Sequence, residues 1–528
     1  MTSIQSQLTT IDTAQDGAQF GTGRYAFFFK PGQYSLDVKV GFYTEAIGLG
    51  QSPDDVVITG AVRAKADAFG GNATLNFWRG ADNIAVISSP SIDNGTNVWA
   101  VSQGTHLRRM HFHNDVPLDD GGEASGGFIA DSLVDGTMRA GSQQQFLTRN
   151  VDGMWQGANW NMVFVGDGTP PTPSWPQPPF TVVTATPLVR EKPFLYLDSN
   201  GHYLVMVPAW KQASVGRGWT TSAPPGSPVS IDTFYLAQPG TDTAATMNAA
   251  LAKGQNLLLT PGIYHLETSL LVTQPGTLVV GLGIPTLIPD NGTPALQVAD
   301  VDGVTLSDFI IEAGMMSSPT LMQLGPAGST QNHAMSPSAI FDVHCRVGGA
   351  DPGTAASCVT INSGNVLIDN TWNWRADHGA GVGWTANVAA NGLIVNGDNV
   401  TAYGLFVEHF QQYQTLWNAN GGSVYFYQSE MPYDPPNQAS WMSSPTENGY
   451  PSYKVSANVT THQGEGLGVY SVFDNPTTVT ADNAFETPTT AGISMHHMVI
   501  VGIHGTIGNI INGTGGSSTG GARTFSAD

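Results

Sequence analysis

Two stretches of this chain repeat one pattern. Phe27-Phe28-Phe29-Lys30-Pro31-Gly32-Gln33-Tyr34-Ser35-Leu36 is followed by Ile47-Gly48-Leu49-Gly50, and Leu257-Leu258-Leu259-Thr260-Pro261-Gly262-Ile263-Tyr264-His265-Leu266 is followed by Val280-Gly281-Leu282-Gly283. Each copy reads as an apolar strand, a Pro-Gly turn, a short strand and an apolar strand closing on Gly-Leu-Gly. Ahead of the second copy, residues 242–251 are patterned as a capped amphipathic helix. An echo at this range requires an architecture that one chain can build twice. It divides the chain into residues 1–215, a Gly-, Ser- and Pro-rich linker at 216–228, and residues 229–528. The Pro-rich stretch 169–179 reads as a loop within the first half.

After each copy the chain becomes a series of short β-branched strands parted by Asn, Asp and Gly: 277–280, 295–298, 304–306, 359–361, 366–368, 393–395, 400–403 and 424–427. Strands so short, without the Asn-Gly hairpin spacing of a sandwich, suit solenoid coils in which each strand stacks on its equivalent one turn away. The expected fold is all-β, two tandem right-handed parallel β-helices in one chain. A β-sandwich with a separate lectin-like domain is the alternative, and it gives no reason for the echo. Composition agrees with an extended, turn-rich β protein: 63 Gly and 33 Pro, with only 11% charged residues.

Lys and Arg total 19 against 41 Asp and Glu, a formal charge of −22, which argues against nucleic acid or anionic lipid as a partner. No apolar run reaches the length of a membrane span. A weakly charged surface with 12 Trp, 15 Tyr and 22 Phe suits an uncharged, hydroxylated, ring-shaped partner, although most of these rings are expected to fill cores.

Residues 403–436 are dense in Glu, amide and aromatic groups. Glu408 and Glu430 stand 22 positions apart, roughly one coil of a parallel β-helix, so they can occupy similar positions on neighbouring coils. Strands about 4.8 Å apart would then set the two carboxyls roughly 5–10 Å from each other, within the range that glycosidases use. Cleavage of a glycosidic bond needs one carboxyl that gives a proton and a second group that activates water or the anomeric carbon. Tyr427, Met431, Tyr433 and Trp441 are expected to surround Glu430 and raise its pKa by desolvation.

The run Val407-Glu408-His409, with Gln428-Ser429-Glu430-Met431-Pro432-Tyr433 one coil later, resembles glycoside hydrolase family 55, the exo-β-1,3-glucanases or laminarinases. Four further stretches resemble the bacterial branch of that family: Asn76-Phe77-Trp78-Arg79-Gly80, Gly126 to Ser132, Gly141 to Gln145, and Trp372-Asn373-Trp374-Arg375-Ala376-Asp377-His378-Gly379. The resemblance implies two β-helices with the active site between the halves, an inverting and exo-acting attack on β-1,3-glucan, and Glu430 as general acid. For the water-activating side it points to Gln103 and Ser125 in the first half, either of which could equally be a turn residue, with Glu408 supplying charge or relaying the proton. Trp374, Tyr433 and Trp441 are the expected sugar platforms, Asp377, His378 and Gln428 the expected hydrogen-bonding groups beside them. Trp372, Trp384 and Trp417 are expected to pack internally.

His111-x-His113 and His496-His497 invite a metal reading. With no carboxylate or cysteine set at ligand spacing nearby, and the rings of the first pair expected on opposite faces of a strand, structural roles are expected, with no metal and no cofactor. Asp377-His378 has no Gly-x-Ser-x-Gly elbow to make it a hydrolase dyad. Cys345 and Cys358 are spaced so as to permit a local disulfide and match no metal motif. The low lysine content suggests an exported protein, secreted to the extracellular space, and a monomer is expected. Two other functions stay open. A polysaccharide lyase would need a basic residue set that this chain is short of, and a non-catalytic carbohydrate-binding or tail-spike protein would need only the aromatic rings.

Overall fold

A computed structural model describes residues 3–220, 224–474 and 479–527. The protein is mostly β, as expected, with two α-helices among the described residues. It divides into two compact units. The first runs to Phe234 and the second from Tyr235 onward, the short pieces Thr260–Gly262 and Gly281–Pro285 being grouped with the first.

The expected linker, residues 216–228, is only partly within the description, because residues 221–223 lie outside the described residues. Its far end is not a link: Gly226–Ser230 is a strand paired antiparallel with Tyr203–Pro208, which also pairs with Phe194–Leu197. These antiparallel strands, and the pair Thr186–Val189 with Lys211–Ser214, interrupt the solenoid pattern expected through residue 215. The Pro-rich stretch 169–179 carries no strand, as expected.

The first unit opens with α1 (Ile4–Gln15), a helix that the sequence reading did not find, capped by the Ser3 hydroxyl accepting from the Ser6 amide. Then come β1 (Tyr25–Phe29), β2 (Gly32–Lys39), β3 (Thr44–Gly48) and β4 (Val56–Arg63), with β1 parallel to β3 and β2 parallel to β4. The β2–β4 sheet continues in parallel through β5 (Ala85–Ser88), β6 (His111–Phe112) and β7 (Leu133–Arg139). The second unit opens the same way. Helix α2 (Ala244–Ala252) is closed by a Thr243–Thr246 capping box. It leads into β8 (Asn256–Leu259), β9 (Ile263–Leu266), β10 (Leu278–Gly281) and β11 (Thr286–Pro289), where β8 neighbours β10 and β9 pairs in parallel with β11. The echo in sequence is thus an echo in pairing order.

The long parallel ladder of the second unit positions the site. It runs through β12 (Thr305–Glu312), β13 (Ser338–Val347), β14 (Val366–Arg375), β15 (Thr401–Glu408), β16 (Gly422–Glu430), β17 (His462–Val472) and β18 (Ile493–His504). Each of these strands contains one residue of positive φ: Asp308, Asp342, Asn370, Gly404, Phe426, Gly466 and His497, with φ between 50° and 69°. The strand register places all seven on one rung. Asp, Asn and Gly tolerate this conformation, and the Asn370 amide donates to the Asp342 carboxylate at 2.7 Å.

The left-handed residue shifts the alternation of side chains by one place. In β15 the core takes Ala402, then Leu405 and Val407 beyond Gly404; in β13 it takes Ile340, then Val343, Cys345 and Val347 beyond Asp342. The opposite face past the bend therefore carries Trp372 and Trp374 of β14, Phe406 and Glu408 of β15, and Gln428 and Glu430 of β16. On the core side Cys345 is bonded to Cys358, joining β13 to the strand Ala355–Ile361 of a second parallel sheet.

Candidate active site

One rung of the ladder carries Glu312, Arg346, Trp374, Glu408, Glu430 and Tyr470 side by side. The rung two residues earlier carries Trp372, Phe406, Gln428 and Gly468. Glu408 and Glu430 are thus direct partners on adjacent strands, about 4.8 Å apart along the sheet. At Gly468 a Cβ would lie 2.1 Å from the Tyr470 hydroxyl, so the missing side chain is what lets the Tyr470 ring lie over its own strand beside Gln428.

The two carboxyls differ in surroundings. Glu408 is buried, 2% exposed, and its Oε2 accepts the Trp372 indole N–H at 2.7 Å. Burial, and then the charge of Glu430, push its carboxyl up to about 8. The Glu430 side chain keeps 16% exposure. It accepts from the Tyr433 hydroxyl, from Gln428 Nε2 at 3.4 Å and from His409 Nε2 at 3.4 Å.

His409 follows Glu408 with φ 67°, which turns the chain out of the strand and swings the imidazole toward Glu430. Its Nδ1 donates to the Arg375 carbonyl at 3.2 Å and lies 3.6 Å from Asp377 Oδ1. Burial opposes the charged imidazole, but Asp377, Glu430 and Glu408 outweigh it and raise His409 to about 9. Burial likewise opposes the Asp377 carboxylate, and the charge of His409 with the hydrogen bond from His378 at 3.0 Å bring it below its ordinary value. The Tyr433 ring packs on the His409 ring at 4.3 Å. Burial and the neighbouring carboxylates of Glu430 and Asp377 hold the Tyr433 phenol far above its ordinary range, so it keeps its proton and donates it in the bond to Glu430. Arg375 fixes this arrangement from behind: its guanidinium grips Asp434 through two bonds of 2.8 Å and also donates to the His409 and Gly383 carbonyls.

The fold gathers Glu408, Glu430, Gln428, Tyr433, Asp377, His378 and Trp374 from the sequence reading. His409, next to Glu408 in the Val407-Glu408-His409 run, joins the site as well, although the sequence gives it no evident role. Three expectations need correction. Trp441 is 1% exposed and wedged in the core, its ring against Phe473 and its N–H on the Gln411 carbonyl at 3.0 Å, so it offers no platform. Trp374 is also 1% exposed, stacked on Trp372 at 4.9 Å with His378 at 5.4 Å, and is a wall rather than a platform. The apolar cage expected at Glu430 is not built: Tyr427 turns inward to Ser452 and Met431 joins the core. Trp372 and Trp417 are buried as expected and Trp384 is partly buried, but the Trp372 N–H also serves Glu408. Gln103 and Ser125 belong to the first unit, where both are buried and joined through Ser102, whose hydroxyl lies within donating distance of Gln103 Oε1 and of the Ser125 carbonyl, the latter at 2.7 Å.

A parallel β scaffold that holds two carboxyls on one rung, one buried and one within reach, ringed by amide, imidazole and phenol donors, is the equipment of a glycoside hydrolase. Comparison with known proteins agrees. Residues 234–430 match the LAM55 pectate lyase-like domain. The chain is 44% identical over 98% of its length to an exo-beta-1,3-glucanase of Streptomyces sp. (strain SirexAA-E / ActE), covering 85% of that protein. The solved structure of sacteLam55A from Streptomyces sp. SirexAA-E superposes with a TM-score of 0.97 at 42% identity, over 100% of this chain and 96% of that one. A glutamate-to-alanine variant of the same protein in complex with glucose gives 0.96 at 43% identity, with the same coverage. The chain belongs to glycoside hydrolase family 55.

Proposed function

We propose that this enzyme hydrolyses β-1,3-glucan from a chain end with inversion, Glu430 delivering the proton to the departing oxygen. The substrate class follows from the named relative at 44% identity over nearly the whole chain. The assignment of the acid rests on one observation: of the two paired carboxyls, Glu430 alone retains exposure through which a sugar can be met. Glu408 stands behind it as a carboxyl that keeps its proton to about 8. Glu408 therefore holds a proton at neutral pH on the rung beside Glu430. As the glycosidic bond breaks, the bonds from Tyr433, His409 and Gln428 stabilise the carboxylate left on Glu430. Gln103 and Ser125 are proposed to orient the attacking water.

We also infer that each unit is a right-handed parallel β-helix. The support is the pairing pattern, in which successive strands of the same sheet pair in parallel with other strands between them in sequence. Such crossovers are right-handed in nearly all proteins.

Digestion of laminarin tests the function. The expected product is glucose, released first as the α-anomer and visible by NMR before mutarotation. Products with unsaturated ends would identify a lyase instead, and absence of any cleavage would leave a binding protein.

A further inference from the structure

His111 and His113 stand two positions apart, and such positions share a face of an extended chain. Their rings lie 3.9 Å apart, which corrects the expectation that they point to opposite faces. The stacking of rungs brings two distant carboxylates to them, all within the first unit. Asp54, in the turn Pro53–Asp55 just ahead of β4, has its Oδ1 2.6 Å from His111 Nδ1. Asp135 of β7 has its Oδ2 3.1 Å from His111 Nε2 and 2.8 Å from His113 Nδ1.

We propose that Asp54, His111 and His113 bind a divalent first-row transition cation of the zinc type, with Asp135 as the carboxylate that orients both imidazoles. One ligand atom from each of Asp54, His111 and His113 already lies within 4.8 Å of the others. Ligands around a tetrahedral zinc at 2.0–2.1 Å are about 3.4 Å apart, so small side-chain rotations close the set. Metal-bound imidazoles commonly donate their second N–H to a carboxylate, and Asp135 already holds one nitrogen of each ring. That leaves His111 Nδ1, on the Asp54 side, and His113 Nε2 for the cation. The side chains of Asp54 and His113 are 39% and 35% exposed, which admits the ion and leaves room for water to complete its coordination. A mixed nitrogen and oxygen set of this kind suits zinc or its first-row neighbours better than calcium. The bound ion would tie the turn before β4 to β6, with β7 secured through Asp135.

Chelator-treated full-length protein titrated with zinc chloride by calorimetry, with the thermal midpoint followed in parallel, tests the site. The expected result is one zinc per chain and a raised midpoint that EDTA reverses. Asp135→Asn should bind about 10–100-fold more weakly, and the double variant Asp54→Asn/His113→Gln should lose that ion. Both replaced side chains are partly exposed, and unchanged circular dichroism and laminarin hydrolysis of the metal-free variants would confirm that they fold. Equal binding by the wild type and the double variant would overturn the proposal, as would the absence of zinc binding to the wild type.

Discussion

At the scale of single residues, the proposed chemistry rests on Glu430 and on what surrounds it. Glu430→Gln is nearly isosteric but has no acidic proton to give, so hydrolysis of laminarin should fall by about 10²–10⁴-fold, toward the upper end because a sugar alkoxide leaves poorly. An aryl glucoside with an acidic phenol needs little protonation, and if the enzyme accepts one, the variant should be far less impaired on it. Equal losses on both substrates would move the acid role to Glu408. The pH dependence follows from Glu408 and His409. Folded Glu408 keeps its proton to about 8, whereas the ordinary value is 4.5. Between these values the folded protein binds the extra proton, so this group's contribution to stability declines as pH rises and levels off above about 8. His409, held charged to about 9 against an ordinary 6.5, contributes stability that is complete below 6.5 and lost as pH rises through 9. Glu408→Gln should therefore flatten the fall of the melting temperature over that interval and move the alkaline limb of kcat to lower pH. A pH–rate profile with an unchanged alkaline limb would exclude Glu408 from the proton-carrying pair.

At the scale of elements, the strands were legible in sequence and their bends were not. The run 400–403 announces a strand, but nothing in it shows that the strand continues past Gly404 to Glu408 with its faces exchanged. Asp308, Asp342, Asn370, Gly404 and Gly466 are residue types that accept positive φ; Phe426 and His497 occupy the same rung with no local signal, because neighbouring strands impose the bend on them. Glu408 and Glu430 could be paired from their spacing, since one short coil separates them and register does the rest. Asp54 and Asp135 could not be assigned to His111, because that contact depends on which coils stack. The helix-strand-strand opening of each unit leads to an expectation at this scale. Residues 27–50 and 257–283 should superpose as equivalent backbones in an experimental structure, and unrelated paths there would refute the duplication.

At the scale of the whole molecule, the sequence pattern pointed to a mostly β chain and, through its low charge density and many aromatic rings, to an uncharged, hydroxylated partner. The exact division was harder to read, because the stretch 216–228 looks like a linker in composition yet ends in a strand held by backbone pairing. If Gln103 and Ser125 orient the water, an isolated fragment of residues 229–528 should retain no laminarin hydrolysis, and measurable turnover by it would contradict the need for the first half. The row Trp374, Glu408, Glu430 and Tyr470 carries a different consequence. Its members are separated by 34, 22 and 40 positions in the chain, yet sit on one rung. The excursions between rungs can therefore lengthen or shorten over evolutionary time without moving the row, whereas deletion of a single residue inside any of these strands would slide its side chains off it. Insertions between rungs would thus alter the surface around the row while leaving Glu408 and Glu430 in register.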